Sequence, residues 1–228
     1  MSDVEVSSPA VTPISSPEEI ASPVRKRPKP GERRVQILQA LATMLEQPGA
    51  ERITTAALAA RLAVSEAALY RHFASKAQMF EGLIEFIEQS VFSLVNQIAE
   101  RESSSGPVEP TRDAQAGLRQ AAKVVAMVMQ FAEKNPGMTR VMVGDALVFE
   151  NERLQQRMNQ FFDKIEATLK QSLRGAVEAS GSATPSVDTQ VRASVLTAFV
   201  VGRLQRFARS GFKRLPSEHL EASLALIL

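Results

Sequence analysis

The sequence has no cysteine, only two histidines and only one tyrosine among its 228 residues. The absence of cysteine excludes disulfide bonds, thiol chemistry and the thiolate ligands of many structural zinc sites. The two histidines, His72 and His219, lie far apart in the sequence and do not suggest a shared metal ion. We therefore expect neither a metal site nor a cofactor.

Long apolar runs are also missing. The longest, such as 124–129 and 195–201, are far shorter than the roughly 18–20 residues of a membrane-spanning helix. The first ten residues have neither the basic start nor the apolar centre of a signal peptide. No nucleophile with a paired base and no phosphate-binding loop occurs, and acidic pairs such as Glu150 and Glu152 lie among basic residues, as on a solvated helix face. These absences predict a cytoplasmic protein that is not an enzyme.

Positive charge is concentrated in one part of the chain, although the formal net charge is only +2. Residues 1–24 contain four acids and no base, residues 25–80 contain ten bases and four acids, and residues 81–228 contain seventeen of each. A local surplus of bases is typical of a surface that binds nucleic-acid phosphates. A merely solvated basic face has the same composition, so charge alone does not separate the two interpretations.

Helical spacing of apolar residues begins at residue 32, and no strand alternation or internal repeat is found. The Ser- and Pro-rich residues 1–31 lack this spacing, so we predict a disordered tail whose basic end can lie along a phosphate backbone. The pattern predicts helices that include 32–47, 76–101, 113–134, 138–147, 187–210 and 217–227. The expected fold class is all-α, with a three-helix head at 32–75 and a helical body at 76–228.

Residues 53–80 have the pattern of two short helices joined by a tight turn and followed at once by a third helix. Thr54 or Thr55 is suited to cap the first helix and Ser65 the second. Ser75 and Gln78 have the spacing of a capping box for the third helix. This arrangement is a helix-turn-helix, which places its second helix in a DNA major groove.

The second helix is predicted to contact DNA with the face opposite Leu69 and Phe73. The helix ends around it are predicted to contact DNA as well. The residues suited to phosphates are Thr54, Thr55, Tyr70, His72 and Lys76, and those placed where base edges can be reached are Ser65, Glu66, Ala67 and Arg71. We call this set the DNA face: Thr54, Thr55, Ser65, Glu66, Ala67, Tyr70, Arg71, His72 and Lys76. For Tyr70 and His72 the alternative is packing against the rim of the core.

Thr54-Thr55, the LYRHF segment at 69–73 and Ser75-Lys76 resemble the DNA-binding domain of the TetR family of regulators. The resemblance implies a TetR-like fold, and a homodimer formed largely by the last two long helices. It extends into the body, because residues 66–90 and 135–174 are similar to nucleoid occlusion factors of this family. Such factors bind palindromic double-stranded DNA on the nucleoid and antagonise assembly of FtsZ, the cell-division tubulin homologue.

The same resemblance implies an FtsZ-binding surface on the helix around Phe86 and at the end of the helix before residue 135. By position this partner surface comprises Phe86, Gln130, Lys134 and Asn135. Phe86 suits an interface anchor if it is exposed, whereas its helical spacing with other apolar residues also fits ordinary core. The sequence departs from the family pattern at Met127, Gln130 and Lys134, and lysine lacks the bidentate geometry of the arginine expected at 134.

Methionine and phenylalanine are concentrated between residues 127 and 162, where they suit either core packing or a ligand cavity. A cavity is typical of a ligand-responsive transcriptional repressor, which is the alternative function. We adopt core packing, and with it a nucleoid occlusion factor that binds no small-molecule ligand.

Overall fold

A computed structural model describes residues 31–47, 53–103 and 110–228, and every regular element in these ranges is helical. Its α-helices, in chain order, are α1 Glu32–Leu45, α2 Thr55–Arg61, α3 Glu66–Tyr70, α4 Lys76–Ser103, α5 Pro110–Lys134, α6 Pro136–Met142, α7 Glu152–Ala179, α8 Pro185–Arg209 and α9 Leu220–Ile227. The predicted all-α class is confirmed. The predicted tail, apart from Gly31, lies outside the described residues.

The head is formed by α1, α2 and α3. Helices of seven and five residues, such as α2 and α3, do not persist alone in water, so burial must hold them in place. Leu58 of α2, and Leu69 and Phe73 in and after α3, are each 1% exposed and pack in a core shared with α1. The orientation of the head's short helices therefore depends on this small apolar cluster.

The body is arranged around α7, which packs against both α5 and α8. The 28-residue helix α4, about 42 Å long, runs from the head into the body. Its buried side chains extend from Met79 to Val95 and belong to a core that continues through head and body. The head is therefore not joined to the body by a flexible tether.

Two glycines allow helices to approach at backbone distance. A Cβ placed on Gly137 of α6 lies 1.9 Å from the carbonyl oxygen of Ala42 in α1. A Cβ placed on Gly117 of α5 lies 2.1 Å from the carbonyl oxygen of Ser172 in α7. Only glycine fits at either crossing, and the first of them joins the head to the body.

The predicted helix at 138–147 is wrong in its extent. Helix α6 begins earlier, with Pro136 in its first turn, and it ends at Met142. Gly144 has a left-handed backbone with φ of 83°, which a continuing α-helix does not accommodate. A 3-10 turn at Asp145–Leu147 follows and leads into α7.

Replacement of Gly137 by alanine is expected to lower the free energy of unfolding by at least ~2 kcal/mol, because the new methyl group must displace backbone in α1 or α6. Gly175→Ala is the matched control, since nothing lies within 4 Å of a Cβ at this helical position. Alanine there is expected to stabilise by up to ~1 kcal/mol. Urea unfolding measures both, and equal stability of the two variants contradicts the close α1–α6 contact.

Candidate nucleic-acid interface

The turn between α2 and α3 is held by side-chain caps. Thr54 accepts a hydrogen bond from the Ala57 amide at 3.1 Å, and Ser65 accepts one from the Ala68 amide at 3.3 Å. Between them Ala63 has a left-handed backbone with φ of 51°, which reverses the chain in a short space. The caps predicted at Thr54 and Ser65 are therefore present.

Helix α3 directs most of the DNA face into solvent. Leu69 is buried on the opposite side, whereas Tyr70 is 46% exposed. The other exposed members in and around α3 are Ser65, Glu66, Ala67, Arg71 and His72. The structure thus brings hydroxyl, guanidinium and imidazole groups together around one short helix, where they can reach phosphates or base edges.

Two members of the DNA face bind each other. The Thr55 hydroxyl donates a hydrogen bond of 2.6 Å to the Glu66 carboxylate, which joins the start of α2 to the start of α3. Both side chains therefore have a structural contact in the absence of DNA. This pairing was not predicted from the sequence.

Lys76 lies at the first position of α4, but its ammonium group already has an anionic partner. Its Nζ lies 2.5 Å from Oε1 of Glu150 and 5.7 Å from the centre of the Phe80 ring. The Glu150 side chain is only 10% exposed and follows the 3-10 turn, 74 residues away in sequence. A phosphate that approaches the start of α4 must therefore compete with Glu150 for Lys76.

The capping box predicted before α4 is only half formed. Ser75 accepts a hydrogen bond from the Gln78 amide at 3.2 Å, as expected. The Gln78 side chain, however, accepts from the amide of Ala74 at 2.8 Å, one residue before the position that a capping box uses. The Ser75 hydroxyl therefore caps α4, and the Gln78 side chain binds the chain just before the helix.

Arg34, which was not predicted to belong to the DNA face, lies beside α3. Its guanidinium carbon lies 4.3 Å from the centre of the Phe73 ring, and its Nη1 donates a hydrogen bond of 3.2 Å to the His72 carbonyl oxygen. The contact joins α1 to the end of α3 across 38 residues. In the sequence it was marked only by its place in the basic stretch that ends in the first turn of α1.

The partner surface is divided between the middle of α4 and the end of α5, two helices that pack together. Phe86 is 47% exposed, so it is not part of the core. Gln130 and Lys134 are exposed, whereas Asn135 is half-buried. The Asn135 amide donates a hydrogen bond of 2.7 Å to the Phe131 carbonyl oxygen, so this side chain also fixes the corner between α5 and α6.

The Met- and Phe-rich part of the body is mostly packed core. Met129, Met142, Met158, Phe131 and Phe161 are buried. A cleft of about 670 Å³ lies between α7, α8 and residues 142–148. Its lining combines Met142, Met158 and Phe162 with charged side chains such as Asp163 and Arg209. This mixed lining does not suit a hydrophobic effector.

In the described ranges, 31–47, 53–103 and 110–228, no helix combines the length and the apolar character that a membrane crossing requires. The same residues contain no group of three or more His, Asp or Glu side chains that could hold a metal ion.

Comparison with protein families divides the chain in two. Residues 37–83 match the family described as bacterial regulatory proteins, tetR family. Residues 116–228 match the SlmA-like family described as tetracyclin repressor-like, C-terminal domain. The match to the C-terminal family covers most of the body, including α7 and α8.

Individual relatives agree along nearly the whole chain. Nucleoid occlusion factor SlmA of Aliivibrio fischeri strain MJ11 is 49% identical over 201 residues, which are 88% of this chain and 96% of the relative. SlmA of Vibrio cholerae is 49% identical over 196 residues, 86% of this chain and 93% of the relative.

Solved structures of more distant proteins have the same fold. The fatty acid degradation regulator FadR of Bacillus halodurans has a TM-score of 0.66 at 14% identity, covering 88% of this chain and 96% of its own. The TetR family regulator PfmR of Thermus thermophilus has a TM-score of 0.62 at 21% identity, covering 85% of this chain and 97% of its own. At these identities the likeness concerns the fold alone.

Replacement of Glu150 by glutamine is expected to strengthen binding to duplex DNA of any sequence by roughly two- to fivefold, because Lys76 no longer has a charged competitor for phosphate. Glu152→Gln is the matched control, since it removes the same charge from an exposed position two residues away. Fluorescence anisotropy titrations at several salt concentrations measure both. An equal gain in the two variants contradicts competition at Lys76.

Proposed function

This chain belongs to the family of the nucleoid occlusion factor SlmA, within the tetR group of bacterial regulatory proteins, and from this membership we propose how it acts. It binds palindromic chromosomal DNA through the head at 32–75. On that DNA it antagonises FtsZ assembly through the body at 76–228, which blocks septum formation over the nucleoid. The observation that carries the proposal is 49% identity over 201 residues, a span that includes the body as well as the head.

The head supplies the DNA contacts in this proposal. Tyr70, Arg71 and His72 are exposed around α3, and the chain's surplus of basic residues lies in and just before the head. Phosphate contacts from the helix ends set the register, and the exposed start of α3 reads base edges. In a dimer the two heads engage major grooves about one helical turn apart, roughly 34 Å.

A homodimer is supported by an apolar stripe on α8. Val187, Val191 and Val195 recur at every fourth position and are 59%, 54% and 47% exposed. Such a stripe on a long helix is typical of a surface that packs against another helix. We propose that a second copy of the chain covers it, with α7 and α8 of each copy forming the interface.

FtsZ contacts the partner surface in this proposal. Phe86 offers an exposed aromatic side chain of the kind that anchors interfaces. Lys134 is exposed at the end of α5 and supplies a positive charge for an acidic segment. Asn135 contributes less directly, since its amide nitrogen already closes the corner between α5 and α6.

In this proposal FtsZ antagonism depends on DNA because the head contacts the corner between α5 and α6. Helix α6 starts directly after Asn135, and at Gly137 it touches the backbone of α1. The Thr139 hydroxyl donates to the carbonyl oxygen of Ala132 at 2.9 Å, which ties α6 back to α5. A reorientation of the heads on DNA is therefore passed to the segment that carries Lys134 and Asn135.

The proposal assigns no catalytic step and no bound small molecule to the chain, and it places the protein on the nucleoid in the cytoplasm. Ligand-responsive repression is the alternative. The mixed polar lining of the cleft beside α7 and α8 does not favour it.

Replacement of Tyr70 by alanine is expected to weaken binding to all DNA sequences by roughly tenfold or more, because one hydrogen bond to a charged group contributes about 1.5–3 kcal/mol. Tyr70→Phe is expected to lose as much, because the hydroxyl group makes the phosphate contact. Anisotropy titrations with specific and shuffled duplexes test this. Unchanged affinity in both variants excludes Tyr70 from the DNA face.

Replacement of Phe86 by alanine is expected to leave DNA affinity unchanged and to abolish the DNA-dependent loss of FtsZ polymer. The measurement is sedimentation of FtsZ polymers with the protein, with and without palindromic DNA. Val148→Ala is the control, since Val148 is 61% exposed outside the proposed surface. Failure of the wild-type protein to reduce polymer on DNA overturns the proposed function, whereas loss of both activities in the Phe86 variant indicates a packing role.

A further inference from the structure

The orientation of α3 in the DNA-reading head depends on contacts with other elements. This helix has only five residues, so it has barely more than one turn of its own backbone hydrogen bonds. Base recognition requires side chains to be held within about 0.5 Å of their productive positions. The contacts at the two ends of α3 therefore decide whether its exposed side chains meet base edges in register.

The N-terminal end of α3 is held from α2. Ser65 caps the helix, and the carboxylate of Glu66 accepts the hydrogen bond of the Thr55 hydroxyl at 2.6 Å. These contacts fix where α3 begins. The C-terminal end is held separately, by the burial of Leu69 and Phe73 and by a contact from α1.

The C-terminal end is held by Arg34 from the first turn of α1. The guanidinium lies over the Phe73 ring at 4.3 Å, within the range of a cation–π contact. It also donates to the His72 carbonyl oxygen at 3.2 Å, just beyond the end of α3. A cation at this end of a helix also complements the helix dipole.

We propose that Arg34 is a positioning residue for sequence recognition: by holding the end of α3 against α1, it sets the preference of the head for its specific DNA site over other sequences. The inference rests on the proposed function, because it presupposes that α3 reads bases. It differs from a phosphate contact, which strengthens binding to every sequence alike.

Lysine does not replace arginine in this role. A lysine ammonium retains the positive charge, but it lacks the planar group that stacks on an aromatic ring while donating sideways. Arg34→Lys therefore separates geometry from charge. Arg33 provides matched controls in the same turn of α1, since its Nη1 donates to Gln36 at 3.1 Å within that helix.

The experiment compares four variants of the full-length protein: Arg34→Lys, Arg34→Gln, Arg33→Lys and Arg33→Gln. The specific probe is a duplex selected from a random pool by the wild-type protein, and the non-specific probe is a shuffled duplex of the same composition. Anisotropy titrations at several salt concentrations give the specificity ratio and the salt slope. Circular dichroism melting confirms that each variant is folded.

Arg34→Lys is expected to lower the specificity ratio roughly tenfold, the discrimination of one good base contact, with unchanged non-specific affinity and salt slope. Arg34→Gln is expected to lower the ratio similarly and to weaken non-specific binding. Arg33→Gln is expected to weaken binding to both probes equally, and Arg33→Lys to change neither.

An unchanged ratio in both Arg34 variants overturns the inference. A uniform loss in Arg34→Gln, with a salt slope reduced by about one contact, instead identifies Arg34 as a phosphate ligand. Failure of the wild-type protein to enrich any sequence from the pool is a different result, because it removes the proposed sequence-specific binding itself.

Discussion

The backbone contact between Gly137 and Ala42 is the constraint on which the relation between head and body depends. It places α6 directly against α1, with no side chain between them to yield. The corner before α6 is equally fixed, because Asn135 and Thr139 both return hydrogen bonds to the end of α5. Head, corner and body therefore share one packed core, and packed cores change between discrete arrangements rather than deforming continuously. A displacement of the head is therefore transmitted to Lys134 through a few rigid contacts.

A second set of contacts joins the long helix α4 to α7. Glu81 binds Arg153, and Glu88 binds Arg157 at 2.7 Å. These pairs are partly exposed, so each contributes about 1 kcal/mol or less to stability. They add to the register that the packed apolar faces of the two helices already set. Lys76–Glu150 belongs to the same seam, but it differs from the other pairs in lying at the edge of the predicted DNA face.

The local features of the head were predictable because they depend on residues close together in sequence. Thr54 and Ser65 stand at fixed spacing from the amides that they cap, and Leu69 marks the buried side of α3. The end of α6 was not predicted, because the apolar spacing continues past Gly144 although its left-handed backbone stops the helix. The contacts of Arg34 and Lys76 were beyond prediction for a different reason. They join positions 38 and 74 residues apart, and no periodicity in one sequence relates such positions.

The helical arrangement alone does not determine what this chain does, because one fold can carry different functions. FadR and PfmR have the same helical arrangement at low identity, so that arrangement is compatible with regulators of different kinds. What separates a partner-binding body from a ligand-binding one is where its apolar groups lie. Here the methionines and phenylalanines are largely buried in the core, while Phe86 stands in solvent on α4 and a valine stripe stands in solvent on α8. Removing an apolar side chain from water lowers the free energy, and a side chain exposed on a rigid helix is removed from water only when another molecule covers it. The exposed apolar groups on α8 and α4 therefore fit the proposed dimer contact and the proposed partner surface better than an internal ligand site.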